Sequence, residues 1–99
     1  MDFENSFYYV YVLFSETDDK HYVGYTHNLH LRFEQHNKGL VPSTTNRRPL
    51  KLIYFEASLN QQDSTRREKY FKTHYGRMFI KKRLQNYYAN QCSNLIPCG

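Results

Sequence analysis

Two aromatic runs, Tyr9-Val10-Tyr11 and Tyr22-Val23-Gly24, stand ten residues apart in a chain of 99, followed by Arg32 and, much further on, by Glu68 in a basic stretch. Each of these residue types brings a distinct chemistry. A phenol can pass a proton, although its ordinary pKa of about 10 means that it acts as a base only beside positive charge. A guanidinium can hold a phosphate or the charge developing on one. A carboxylate oxygen suits Mg2+, which keeps several waters and needs only one or two protein carboxylates. A cation held between such a carboxylate and a phosphate can act as a Lewis acid on the leaving oxygen. Taken together, two phenols, one guanidinium and one carboxylate suit the cleavage of a phosphodiester.

Each piece also has a plainer reading. Tyr11 and Tyr22 can be core aromatics whose hydroxyls reach solvent, since the chain has ten tyrosines. Arg32 can be a surface arginine with an ordinary partner. Glu68, flanked by Arg66, Arg67 and Lys69, can form a helical i,i+4 ion pair with Lys72. His36 lies one helical turn after Arg32, while His74 reads as structural. Spacing alone favours the plain readings of Arg32 and Glu68.

The elements that must position these residues follow from pattern and punctuation. Residues 7–14, FYYVYVLF, are dense in β-formers and read as a buried strand. Ser15 to Lys20, centred on Asp18-Asp19, reads as a turn, and residues 21–25 as the second strand of an antiparallel hairpin. Asn28 is a candidate N-cap for a helix over 29–38 that ends at Gly39, with Leu29, Phe33 and His36 on one stripe and Arg32 at its border. Residues 40–49, with Pro42, Pro49 and a Ser-Thr-Thr-Asn cluster, read as a loop, and 50–57 as a strand. A helix is expected from the capping residues at 60–64 to Tyr75, stopped by Gly76, and a second amphipathic helix over about 77–88. The order β-β-α-β-α-α predicts an α+β domain, a small three-stranded antiparallel sheet flanked by helices. Its expected bounds are 7–88, between a flexible segment 1–6 and a disordered tail 89–99.

Composition narrows the class. The length suits one domain, and 39% apolar with 17% aromatic residues allows an aromatic-rich core. No apolar run is long enough to cross a bilayer, and the acidic start MDFENSF lacks the build of a signal peptide, so a cytoplasmic protein with no membrane partner is expected. Residues 1–46 carry three Lys/Arg and six Asp/Glu, whereas 47–99 carry eleven and three, so the two parts differ in net charge, −3 against +8. A basic half with interleaved aromatics suits a polyanion, though a solvated charged surface looks the same in sequence. Cys92 and Cys98 are expected to be free thiols without a function.

Taken in order, these residues resemble the GIY-YIG nuclease superfamily, in its small stand-alone bacterial single-domain type. Tyr9-Val10-Tyr11 stands where the family has Gly-Ile-Tyr, and Tyr22-Val23-Gly24 where it has Tyr-Ile-Gly. The stretch Gly24-Tyr25-Thr26-His27-Asn28-Leu29-His30-Leu31-Arg32 is similar to the family's path to its catalytic arginine, and His36 falls at the next family position. Glu68, within Arg66-Arg67-Glu68-Lys69-Tyr70, matches the metal-binding glutamate, and Lys72-Thr73-His74-Tyr75-Gly76-Arg77 looks like the stand-alone subgroup. The likeness spans about residues 7–88.

The resemblance implies a metal-dependent DNA endonuclease. Glu68 would hold Mg2+ or Mn2+, Tyr22 would activate water with help from Tyr11, Arg32 would stabilise the scissile phosphate, and His36 would support the nucleophile or the phosphate. Products would end in 3′-hydroxyl and 5′-phosphate groups. Arg47, Arg48, Lys51, Arg67 and Lys72 are the candidate contacts to double-stranded or branched DNA, in repair or recombination. Tyr9 replaces the glycine of the first motif, and Tyr25 stands where excision-repair relatives have a lysine. Those relatives often gain specificity from an attached DNA-binding domain, for which this chain is expected to have no room. A partner protein or a homodimer would then supply it. The alternative is a nucleic-acid-binding module of the same fold that cuts weakly or not at all, using its aromatics for stacking.

Overall fold

Six consecutive side chains from Val10 to Ser15 are buried in strand β1 (Tyr8–Ser15), which therefore has to be covered on both faces and flanked on both edges. The computed structural model describes residues 6–95, with side chains to residue 90. β1 lies at the centre of an antiparallel sheet of order β2-β1-β3, between β2 (His21–Thr26) and β3 (Leu50–Ser58). Helix α1 (Leu29–Asn37) joins β2 to β3 through a loop that contains a 3-10 turn, Thr45–Arg47. After β3 come α2 (Gln61–Phe71), α3 (His74–Arg83) and α4 (Gln85–Leu95). The architecture is the expected α+β arrangement in the expected order. The chain divides into two compact units, Met1–Glu68 and Lys69–Gly99, and the whole sheet lies in the first.

The register assigns residues to faces. Tyr11 pairs with Gly24 and Phe55, and Leu13 with Tyr22 and Leu52, so these share one face. On that face Tyr11, Leu13 and Leu50 form a buried cluster against which Tyr22, Leu29, Phe33 and Leu52 pack. Val10 pairs with Tyr25 and Glu56 on the opposite face, where Arg67 of α2 forms two hydrogen bonds to Glu56, 2.9 and 3.0 Å long.

The turn between β1 and β2 is tied down locally. The buried Ser15 hydroxyl accepts from the amides of Thr17 and Asp18 and donates to the Arg47 carbonyl at 2.6 Å. Asp19 takes the left-handed conformation, φ 58°, as Asp tolerates in tight turns. α1 begins where the Asn28 side chain accepts from Leu31 N. It ends in a Schellman arrangement, with Gly39 (φ 79°) donating to His36 O and Leu40 to Gln35 O. Both of these boundaries agree with the sequence reading.

The later helices do not. α2 ends at Phe71 rather than Tyr75, and Gly76 lies in the first turn of α3 rather than at a helix end. The reason is Thr73, which N-caps α3 by accepting from Gly76 N at 3.1 Å and donates its own hydroxyl to Tyr70 O at 2.6 Å. A Cβ on Gly76 would lie 1.8 Å from Tyr70 O, so only glycine permits this tight junction. The helix expected over 77–88 is split at Leu84 into α3 and α4, and α4 runs on to Leu95. Cys98 and the Cys92 side chain lie outside the described residues, as do 1–5 and 96–99. Among the described residues no helix is long and apolar enough to cross a membrane.

Candidate active site

Gly24 makes room for the site. It sits directly across from Tyr11, and a Cβ there would lie 2.3 Å from both Cζ and Oη of the Tyr11 ring. The phenol therefore lies flat over the neighbouring strand and brings its hydroxyl beneath α1. There Tyr11 Oη shares a hydrogen bond of 2.9 Å with His36 Nε2, and His36 Nδ1 shares one of 2.7 Å with Thr44 Oγ1. Tyr11 is 1% exposed, and His36 and Thr44 not at all. The expected stripe of Leu29, Phe33 and His36 is thus the buried side of α1, and His36 is its deepest member.

Tyr22 completes an aromatic triangle. Its ring centre lies 5.3 Å from that of His36 and 6.5 Å from that of Tyr11, while His36 and Tyr11 are 5.6 Å apart. Tyr22 is only half-buried, so of the two motif tyrosines it is the one solvent reaches. Arg32, one turn before His36, is also half-buried and donates from Nη1 to Gln35 Oε1 at 3.0 Å.

The electrostatics tie the group together. Burial pushes the Tyr11 phenol above its ordinary pKa, a hydrogen bond from Arg32 opposes this, and the neighbouring Tyr22 and Glu68 add to the rise. Glu68 of α2 is therefore close enough for its charge to act on the Tyr11 hydroxyl. Burial first, and the Arg32 cation second, pull the His36 imidazole down to about 4, so it is neutral at pH 7. A neutral imidazole offers one donor and one acceptor nitrogen. Tyr11, Tyr22, Arg32 and His36 thus come together in the first compact unit, with Glu68 near enough for its charge to act on Tyr11.

Glu68 is the carboxylate of this group. Among the described residues no three His, Cys, Asp or Glu side chains gather as a ready-made cation cage. That does not fit a closed structural zinc site. One half-buried carboxylate whose charge acts on the Tyr11 hydroxyl is the kind of donor that would suit Mg2+ or Mn2+, which takes much of its coordination from water. α2 ends at Phe71, so Lys72 falls one residue past the helix that carries Glu68.

The candidate DNA-binding cations are a different matter. Arg47 Nε donates to Asp18 Oδ2 at 2.7 Å, and its Nη2 reaches the carbonyls of Lys20 and His21. Lys51 pairs with Glu16 at 2.9 Å, and Arg67 with Glu56. Arg48 donates to Thr45 O at 2.9 Å and to Asn37 O at 3.4 Å, fastening the loop to the end of α1. Four of the five candidates therefore have partners within the fold; Lys72, exposed, lies in the second unit. Sequence reasoning missed Thr44 altogether. Its only signal was a hydroxyl in a loop eight residues past His36, which resembles any other loop threonine.

Comparison with known proteins places this geometry. The profile of the GIY-YIG catalytic domain matches residues 7–83. The chain is 43% identical over 72 residues to the UPF0213 protein in ldhD 5′region of Pediococcus acidilactici, covering 70% of this chain and 71% of that protein. It is 49% identical over 69 residues to a UPF0213 protein of Pediococcus pentosaceus, covering 69% and 70%. It is 37% identical over 73 residues to the UPF0213 protein YazA of Bacillus subtilis, covering 73% and 71%. No solved structure matches the chain significantly.

Proposed function

This chain belongs to the GIY-YIG catalytic domain family, and on that premise we propose that it is a divalent-metal-dependent endonuclease that hydrolyses phosphodiester bonds in nicked or branched DNA. The observation that carries the reading is the meeting of two tyrosines, an arginine and a neutral buried histidine on one face of the sheet, with Glu68 close enough for its charge to act on Tyr11. A half-exposed phenol and guanidinium at the rim of a buried hydrogen-bonded group give a substrate something to meet.

In this reading each side chain has a task set by its surroundings. Glu68 holds Mg2+ or Mn2+, which supplies Lewis-acid stabilisation of the leaving oxygen when bound. Arg32 binds the scissile phosphate and offsets the charge that grows on it. Tyr22, within reach of solvent, positions the attacking water and, in its phenolate form, takes the proton that the water gives up. Tyr11, sealed under α1, keeps its proton at neutral pH and orients the group through its hydroxyl. His36 stays uncharged, so it adds a hydrogen bond without competing with Arg32 for the phosphate.

The test is a panel of linear, nicked, flapped and branched DNA incubated with Mg2+ or Mn2+, and in parallel with a chelator. Cleavage that appears with the metal and stops with the chelator supports the proposal. Binding without cleavage on every substrate would favour the alternative, a nucleic-acid-binding module of the same fold.

A further inference from the structure

We propose that Thr44 is a positioning residue that fixes the tautomer of His36 and so makes the Tyr11 oxygen a hydrogen-bond acceptor. The inference deepens the nuclease reading and rests on it for its catalytic consequence, though not for its geometry. Tyr11, His36 and Thr44 are 1%, 0% and 0% exposed, so their protons must be placed among protein partners.

The Thr44 hydroxyl has one proton and two acceptors in reach. His36 Nδ1 lies at 2.7 Å and Val41 O at 3.5 Å. Val41 O already accepts from Thr44 N at 3.1 Å and Thr45 N at 3.0 Å, which uses both of its lone pairs. The hydroxyl proton therefore goes to Nδ1. A neutral imidazole that accepts at Nδ1 carries its proton on Nε2. Nε2 then donates to Tyr11 Oη at 2.9 Å, the usual length of an N–H···O bond.

The other tautomer reverses the chain at a cost. Nδ1–H would donate to Thr44, whose proton would be left to an occupied carbonyl at 3.5 Å. Tyr11 would spend its own proton on His36. With Thr44 in place, the Tyr11 hydroxyl proton is directed away from His36, toward the other groups of the site that act on this oxygen, Glu68 among them. The neutrality of His36 at pH 7 agrees with this arrangement.

The tautomer can be read directly from ring 15N shifts in long-range 1H–15N correlation spectra of the full chain at pH 7. Wild type and Thr44→Ser, which keeps the hydroxyl, are expected to show the Nε2–H pattern for His36. Thr44→Val is expected to move His36 toward the Nδ1–H or a mixed pattern and to lower DNA cleavage by about tenfold, with recovery in Thr44→Ser. A wild-type spectrum of the Nδ1–H form would overturn the proposal, and so would an unchanged Nε2–H pattern in Thr44→Val. If Thr44→Val does not fold, the wild-type and Thr44→Ser spectra still decide. If wild type cuts no DNA, the nuclease reading falls while the spectra decide the tautomer separately.

Discussion

The depth of His36 has a thermodynamic signature. Its pKa drops from 6.5 to about 4 on folding, so between those values the unfolded chain binds more protons than the native state. Stability from this residue is complete above pH 6.5 and is lost as pH falls toward 4. The full difference corresponds to at most about 3 kcal/mol. Urea unfolding at pH 7 and pH 5 is expected to show a fall in wild type that is clearly smaller in His36→Gln, and equal falls would contradict the buried neutral state. This depth was not legible beforehand, because a helical histidine beside Leu29 and Phe33 reads the same at the rim or underneath. Tyr11, Tyr22, Arg32 and Glu68 were legible as a set through their order, yet their unequal exposure was not. Exposure is what divides the two tyrosines into a sealed partner and an accessible one.

At the scale of elements, the glycine of the second motif serves the tyrosine of the first. Gly24→Ala would place a methyl 2.3 Å from Tyr11 Cζ, inside a closed cluster. The expected cost is about 1–3 kcal/mol, seen as a fall in Tm of about 5–20 °C for a domain of this size. A variant with wild-type Tm would mean that the ring does not lie over Gly24. The hairpin and α1 were readable because their signals are local: β-formers in β1, Asn28 as cap and Gly39 as stop. The junction of α2 and α3 misleads because Gly76 looks like a stop signal, whereas Thr73 and the close approach of Tyr70 O require it inside the next helix. Arg47 hid its tie to the fold for a related reason. Its partner Asp18 lies 29 residues earlier, and only the fold brings the β1–β2 turn to the 3-10 turn.

For the whole molecule, the basic charge is not where the candidate DNA contacts were sought. Residues 69–99 hold six Lys/Arg and no Asp/Glu, while 1–68 hold eight and nine. Lys81, Lys82 and Arg83 stand exposed in the last turn of α3. Each phosphate neutralised on duplex DNA adds about 0.9 to the slope of log Kobs against log salt. Replacing these three residues by Ala is expected to reduce that slope by about 2–3, whereas Arg47→Ala, which loses a tie to Asp18, leaves it within about half a unit. The reverse outcome would put DNA on the first unit's loop instead.

The nuclease reading depends on Glu68 being the carboxylate on which cleavage turns. Single-turnover cleavage of end-labelled DNA by wild type and Glu68→Gln, with Mg2+ or Mn2+ and with DNA affinity measured alongside, addresses that most directly. The account predicts that Glu68→Gln binds within about threefold of wild type and cuts at least about 100-fold more slowly. Equal cleavage by the two proteins would contradict it.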